Sequence, residues 1–544
     1  MKSFFKIILL LLWVTKAAAQ PADRITSKLI NQIKISEIQK NLSIIAGSTM
    51  EGRETGTPGQ AKAAQFIADY YKQIGLEPGN NGSFFQYYPL IKDSITQSNF
   101  NINGQPFTYE MDYILPGSIN ETRRIASSSK KDLNVVWGGY GISDPLYDNL
   151  KGIEVRDKAL LVLNGEPRIT DTTFFYTHNQ NLNGRKELST EENNYLFSHN
   201  QHPSRWSRLD AGTLLRAKAA AKLGAKVLFI VDKSLSWRKT SLSPIRVADE
   251  NIKQESIPLS VYIISPQIAK MIIGSEEQYN KLIYSAGMTK PVSFNTPITF
   301  NASQEVIHKK IKASNVMAYI PGTDKKDEVL IISAHYDHLG KHNGEIFYGA
   351  DDNGSGTTAV LAMAKAFAMA KATGKGPRRS ILFLNVSGEE QGLWGSNYYT
   401  SHPVYPLSQT IADLNTDMIG RIDPLHQNDN NYIYIIGDDK LSSVLRPINV
   451  ANNETFTKLN LDYKYNLASD PERIYYRSDH YNFAKNKIPV IFYFDGINTD
   501  YHKVTDTPDK INYELMYQRM KLIFYDAWSI ANRDEKLPID RNEK

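Results

Sequence analysis

His335, Asp337 and His338 follow directly on the apolar run Val329–Ile332, and a polar loop later Asp351 and Asp352 stand together in a glycine-bounded turn. Imidazoles and carboxylates delivered at the end of a buried strand are the donors a divalent cation needs. Four more arrive downstream. Glu389 and Glu390 follow SILFLNVSG, Asp417 ends IADLNTD, and His502 lies in DYHKVTDTPDK just past PVIFYF. Singly, each has a plainer duty: a solvated helix start for the glutamates, a helix cap for the acidic turn, a surface loop for His502. Five separate segments each ending an apolar run in such a residue point instead to a shared metal site.

Spacing also suggests roles. At i and i+2 in extended chain, His335 and Asp337 point the same way, so Asp337 either holds the His335 ring or sits near the metal. Of two adjacent glutamates, one can bind a cation while its neighbour, unable to reach the same ion, stays free as a proton acceptor. A carboxylate bridging two cations relieves the repulsion of the acidic cluster. Two zinc ions about 3.5–4 Å apart could share one water and stabilise a tetrahedral oxyanion. The chain has no cysteine, so any metal site is built from His, Asp and Glu. Zinc is the first expectation, with cobalt and manganese compatible.

The elements that position these residues can be read around them. From Ile311 onward short apolar strands alternate with helices: Val329–Ser333, then Gly356–Ala370; Ser380–Val386, then a helix from Leu393; Thr410–Asp417; Tyr432–Gly437, then Leu441–Asn452; Pro489–Phe494, then Tyr513–Ala531. That alternation predicts an α/β domain with a mixed, mostly parallel sheet flanked by helices, functional groups gathering at the carboxyl ends of its strands. Residues 21–75 carry helical periodicity, broken by the turn cluster EGRETGTPG. Residues 95–125 alternate polar and apolar and suggest strands at Phe100–Ile102 and Phe107–Tyr109. Leu133–Trp137, Ala159–Leu163 and Lys226–Val231 read as short strands, with one Ala-rich helix, Asp210–Leu223. The polar reach Ile169–Arg208 scatters His178, His199 and His202 without metal-like spacing and reads as a solvated insertion. Residues 275–310 look mixed and loop-rich.

At 544 residues the chain exceeds what one core usually serves. Its first nineteen residues have the shape of an export signal: Lys2 and Lys6, the apolar run Ile7–Val14, then Ala17–Ala19. The run is too short to span a bilayer, and no later stretch is longer. Without Lys2, Lys6 and Lys16 the formal charge falls from +5 to +2, which leaves no footprint for nucleic acid or membrane. An exported protein, periplasmic or secreted, follows as the expectation.

SAHYDHLG, GADDNGSG, VSGEEQGLWGS, NTDMIGR, YRSDHYNFA and DYHKVTDTPDKI, in this order over residues 310–535, resemble the zinc aminopeptidases of peptidase family M28. EGRETGTPGQAKAAQFIADYYKQIGLEP resembles the N-terminal helices of that family's catalytic domain, and WGGYGI, ALLVLNG and AKAAAKLGAKVLFIV resemble an inserted protease-associated (PA) domain. The resemblance implies a zinc-peptidase (phosphorylase/hydrolase-like) fold divided into a signal at 1–19, catalytic parts at 20–125 and 301–544, and a smaller PA-like insert at 126–300. It implies two zincs per chain, with Asp352 as the bridge, His335 and Asp417 on one ion, and Glu390 and His502 on the other. Glu389 becomes the general base and Asp337 the residue that orients His335. Asp351 becomes a neighbour that shapes the turn, and His338 loses its claim to a metal. A cis peptide after Asp352 is also implied. Asp479 and His480 match the family without being its usual ligands, and Tyr475 or Tyr476 is a candidate oxyanion donor.

The implied function is removal of N-terminal residues from peptides. Three other functions share parts of this pattern. A glutaminyl cyclase is an acyltransferase that needs one zinc, so the retention of both His335 and Asp417 weighs against it. A receptor-like binding protein would have a decayed site, and this one is complete. A glutamate-type carboxypeptidase would need arginines to grip carboxylates, for which Arg421 and Arg477 are the candidates. Side-chain preference and oligomeric state depend on loop geometry that a linear sequence does not carry.

Overall fold

The computed structural model describes residues 24–116, 128–144, 147–167, 206, 209–233, 245–248, 257, 259–288, 291–470 and 472–542. The expected export signal lies outside these residues, as do His178, His199 and His202 with nearly all of the 169–208 reach. No helix among the described residues is long and apolar enough to cross a membrane.

The strand Lys325–His335 shows why the C-terminal half folds as it does. Its apolar residues project alternately to two faces: Leu330 and Ile332 pack into one core with Leu361, Phe367 and Phe524, while Val329 and Ile331 pack into another with Leu382, Tyr434 and Phe492. A strand buried on both faces reads as an unbroken apolar run. Parallel neighbours flank it, Arg379–Val386 on one side and Thr410–Thr416 on the other, and Val490–Phe494 follows in parallel beyond. Tyr432–Ile436 follows antiparallel, and Asn460–Asp462, parallel to it, forms the edge on this side. Helices Ile35–Ile45, Pro58–Gln73, Gly356–Ala372 and Tyr513–Asn532 supply the first of the two cores. Pro58–Gln73 starts where the turn cluster demands, with Thr57 accepting from the Gln60 N–H and proline in the first turn. The mixed, mostly parallel sheet flanked by helices is the architecture the sequence predicts.

The middle of the chain has its own cores. Ala159–Leu163, Val227–Val231 and Ser260–Ile264 pair in parallel beside Ser128–Trp137. Leu161 and Phe229 face one cluster, Leu160 and Leu228 the other. One 26-residue strand, Asn295–Ile320, stitches the two halves: its start pairs with Ser128–Trp137 and its end with Arg379–Val386. Along its length it pairs with the 18-residue strand Phe85–Ile102.

These two long strands correct the sequence reading, which has loops over 275–310 and short strands near 100. Their middle sections form a ribbon that packs into neither large core. Ile307 is exposed and Lys309, Lys310 and Lys312 face water, so the apolar run that marks a buried strand is missing.

Candidate metal centre

Four parallel strands end at one edge of the sheet, and each hands over part of the site. His335 is the last residue of its strand and stands level with Val386, three residues before Glu389. Asp417 directly follows Thr410–Thr416, and His502 lies in the loop after Val490–Phe494. The remaining piece is the tight turn Ala350–Ser355, which leads into helix Gly356–Ala372 and carries a cis peptide between Asp352 and Asn353.

The turn is fixed from several directions. Asp506 accepts from the Asp351 N–H at 3.0 Å and the Asp352 N–H at 3.2 Å. Asp351 accepts from Gly420 N–H at 2.8 Å and from the Asn498 amide at 2.9 Å, so it shapes the turn as expected. Gly349 sits at φ +55°, and a Cβ there would lie 2.2 Å from the Asp352 carbonyl and 2.4 Å from the His338 ring. Only glycine fits such a position.

Arg53, from EGRETG, is fully buried beneath the turn. It donates to the carbonyls of Tyr336 (2.7 Å), Ile45 (2.8 Å), Tyr348 (2.7 Å) and Gly349 (2.9 Å). Burial pulls its pKa down to about 10, outweighing the acidic groups nearby, so it remains a cation at neutral pH. Arg53→Met leaves four carbonyls without donors, at a cost of order 3 kcal/mol or more. The expected result is a melting temperature several degrees lower together with weaker metal retention. Wild-type values for both would remove Arg53 from this role.

Asp352 occupies the middle of the site. Its Oδ1 lies 3.4 Å from His335 Nε2, and its Oδ2 lies 3.0 Å from His502 Nε2. His335 Nε2 is also 3.3 Å from Asp417 Oδ1, and His502 Nε2 is 3.1 Å from Glu390 Oε2. Two groups able to hold an ion result, His335–Glu389–Asp417 and His338–Asp352–Glu390, each with its donor atoms within 4.8 Å of one another. All seven residues predicted from the sequence therefore meet here. His335 Nδ1 stands 3.2 Å from the Asp337 carbonyl oxygen and 3.5 Å from its Oδ1. The Asp337 carboxylate also accepts from Thr55 (2.8 Å) and from the Glu389 N–H (3.3 Å), so it tethers Glu389 as well as facing His335.

Two further residues join them: His338, which the family resemblance sets aside as a ligand, and Tyr501, which the sequence reading does not single out. His338 is wholly buried with Nδ1 2.8 Å from Glu390 Oε1; its place one residue past Asp337 was the available signal. Tyr501 stacks on His502 with ring centroids 3.8 Å apart and lines the cavity over the site. Tyr475 and Tyr476 do not line that cavity, which moves the oxyanion candidate to Tyr501.

The donor set fits cations. His502 Nε2 has carboxylate oxygens at 3.0 and 3.1 Å yet makes a hydrogen bond to neither, and it is buried. Lone pairs are converging on common points. Burial alone would depress His335 and His502, but the carboxylates outweigh it and hold both well above the ordinary histidine value. Burial would raise Glu390, but the nearby imidazoles bring it down to about 2. Glu389 goes the other way, held high by burial and then by Asp417 and Glu390. Outside the ligands, Ser478 donates to Asp417 Oδ2 at 2.7 Å and accepts from Asn415 at 2.8 Å, fixing that carboxylate's second oxygen.

Asp479 accepts from Ser396, and His480 is buried against Phe492, ring centroids 4.7 Å apart. Neither belongs to the two groups able to hold an ion. Burial drives the His480 pKa down to about 3. The unfolded chain takes up this proton near pH 6.5 and the folded one only near 3, so stability falls as pH drops through that window, by up to about 1.4 kcal/mol per pH unit. His480→Leu should flatten the decline of melting temperature between pH 6 and pH 4. An unchanged decline would show that His480 is not the group responsible.

Residues 315–526 match the profile of peptidase family M28. A probable leucine aminopeptidase of Arthroderma otae is 30% identical over 237 residues, which cover 42% of this chain and 61% of the relative. The chain thus spans under two thirds of that curated relative's length. Among solved structures, an aminopeptidase from Aneurinibacillus sp. strain AM-1 matches with a TM-score of 0.53 at 16% identity, covering 95% of this chain and 100% of that one. A zinc aminopeptidase from Bacillus subtilis matches with a TM-score of 0.52 at 15% identity, covering 94% and 98%. At such identities the likeness is one of fold.

Proposed function

Because residues 315–526 match the profile of peptidase family M28, we propose that the protein is an exported metallo-exopeptidase that removes N-terminal residues from peptides with two zinc ions. The observation that carries this reading is the position of Asp352, whose two oxygens face two separate imidazoles. One carboxylate between two donor groups supports two ions more than the single ion of a cyclase. The name of the probable leucine aminopeptidase relative supports the N-terminal direction. The separate cores of the middle strands support an inserted domain, for which the PA resemblance stands as our reading; Phe100, Phe107 and Tyr113 pack into the same core, so it begins before residue 126.

On this reading His335 and Asp417 would hold one ion, Glu390 and His502 the other, and Asp352 would serve both. Bound zinc would supply Lewis acidity and a nucleophilic water. The chain's own residues do the rest. Glu389 takes a proton at its carboxylate and returns it to the leaving amine nitrogen, kept in place by Asp337. Tyr501, whose phenol burial holds above its ordinary value, stays protonated and donates to the carbonyl oxygen as charge develops there. His338 steadies Glu390 through its Nδ1. The cavity beside the site seats the first side chain against Met418, Ile474, Phe492, Phe494 and Ile497.

A panel of aminoacyl anilides tests this, assayed with zinc and with a chelator. Hydrolysis that needs both metal and a free α-amine is expected. Activity indifferent to chelation, or retained on N-acetylated substrates, would overturn the proposal.

A further inference from the structure

Two arginines stand near enough to grip a carboxylate, and the fold treats them differently. Arg421 is spent inside the protein. Its Nη2 pairs with Asp500 at 2.8 Å, its Nη1 lies 3.9 Å from Asp506, and its backbone N–H donates to Asp495. Arg477 lines the same cavity as Asp352, Glu389 and Asp417. Among the described residues its polar partners are loose: Glu472, itself half-exposed, at 3.6 Å, and the Tyr501 hydroxyl at 3.4 Å. Its side chain keeps 32% exposure, so the guanidinium can be reached from the cavity.

Apart from Ser478 and Tyr501, the rest of that wall is apolar. A guanidinium has five N–H donors in a planar fork, and two long contacts leave room for a bidentate partner. A cation at the edge of an apolar cavity gains most from an anion that arrives with the ligand. Water can satisfy it between turnovers, and the weak hold of Glu472 is readily displaced.

We propose that Arg477 is a specificity-determining residue that receives a carboxylate of the substrate while the apolar wall seats the adjoining methylenes. The carboxylate has two possible sources: the side chain of an acidic first residue, or the C-terminus of a dipeptide. This inference rests on the exopeptidase reading above.

The test compares wild type, Arg477→Met and Arg477→Lys on two matched pairs, glutamyl against glutaminyl anilide and Leu-Gly against Leu-Gly amide. Each member of a pair differs only in carrying the negative charge. Arg477→Met should lower kcat/KM for the charged member of one pair by about 10–100-fold relative to its neutral partner, mainly through KM. Lysine should restore part of the loss, because it keeps the charge without the fork. Loss on the glutamyl anilide names the side chain as the source, and loss on Leu-Gly names the C-terminus. Equal losses on both members of both pairs, or none, overturn the proposal. Calorimetric binding of the same four compounds to Glu389→Ala, with and without Arg477→Met, decides the question without turnover. If zinc-loaded wild type cleaves none of the four, the exopeptidase reading fails, while selective binding still carries the carboxylate site and unselective binding removes it.

Discussion

Glu389→Ala is expected to keep its metal and lose about 10²–10⁴-fold in kcat, the usual worth of a positioned general base. Glu389 borders the cavity, and the Asp337 carboxylate tethers its N–H at 3.3 Å. Burial and the neighbouring carboxylates hold its pKa high, which suits a proton carrier better than a resting ligand. Its carboxylate also lies within ligand distance of His335 and Asp417, so the rival role is direct coordination. Metal content separates the two. A variant that is inactive with two equivalents of zinc makes Glu389 the base. A variant that has lost an ion makes it a ligand, and a variant with wild-type turnover dismisses both roles. Glu390→Ala is the control, expected to lose metal because Glu390 meets both His338 and His502.

Asp352→Ala should be more severe, bringing activity below detection and metal content below one ion per chain. Its oxygens face His335 and His502 at 3.4 and 3.0 Å, so one truncation removes a donor from each half. Stability should follow by mass action. A ligand present at a thousandfold its dissociation constant adds about 4 kcal/mol to the folded state. Chelation should therefore lower the melting temperature of wild type and leave that of Asp352→Ala nearly unmoved. A variant that responds to chelation as wild type does would place the bridge elsewhere.

The catalytic strands could be read from sequence because Val329–Ile332 and Ile381–Leu384 are buried on both faces, which leaves an unbroken apolar signature. The residues at their ends were legible for the same reason, since a buried strand fixes where its next residue emerges. Asn295–Ile320 was not, because its identity as a strand comes from partners distant in sequence and its middle faces water. The choice of Asp352 over Asp351 as the bridge rested on family resemblance. The geometry accords with it: Asp351 turns inward to Gly420 and Asn498, Asp352 toward the imidazoles. The resemblance sets His338 aside, although its ring meets Glu390, and Tyr501 carries no signal of its own beside His502. Arg421 and Arg477 look alike in sequence and part only when Asp500 is seen to claim the first.

Anomalous diffraction at the zinc edge, on crystals grown with zinc and scanned above and below the edge, tests the two-ion centre most directly. The expected map has two peaks on either side of Asp352, one beside His335 and Asp417, the other beside Glu390 and His502. A single peak, or two that leave Asp352 without a contact to both, would contradict it.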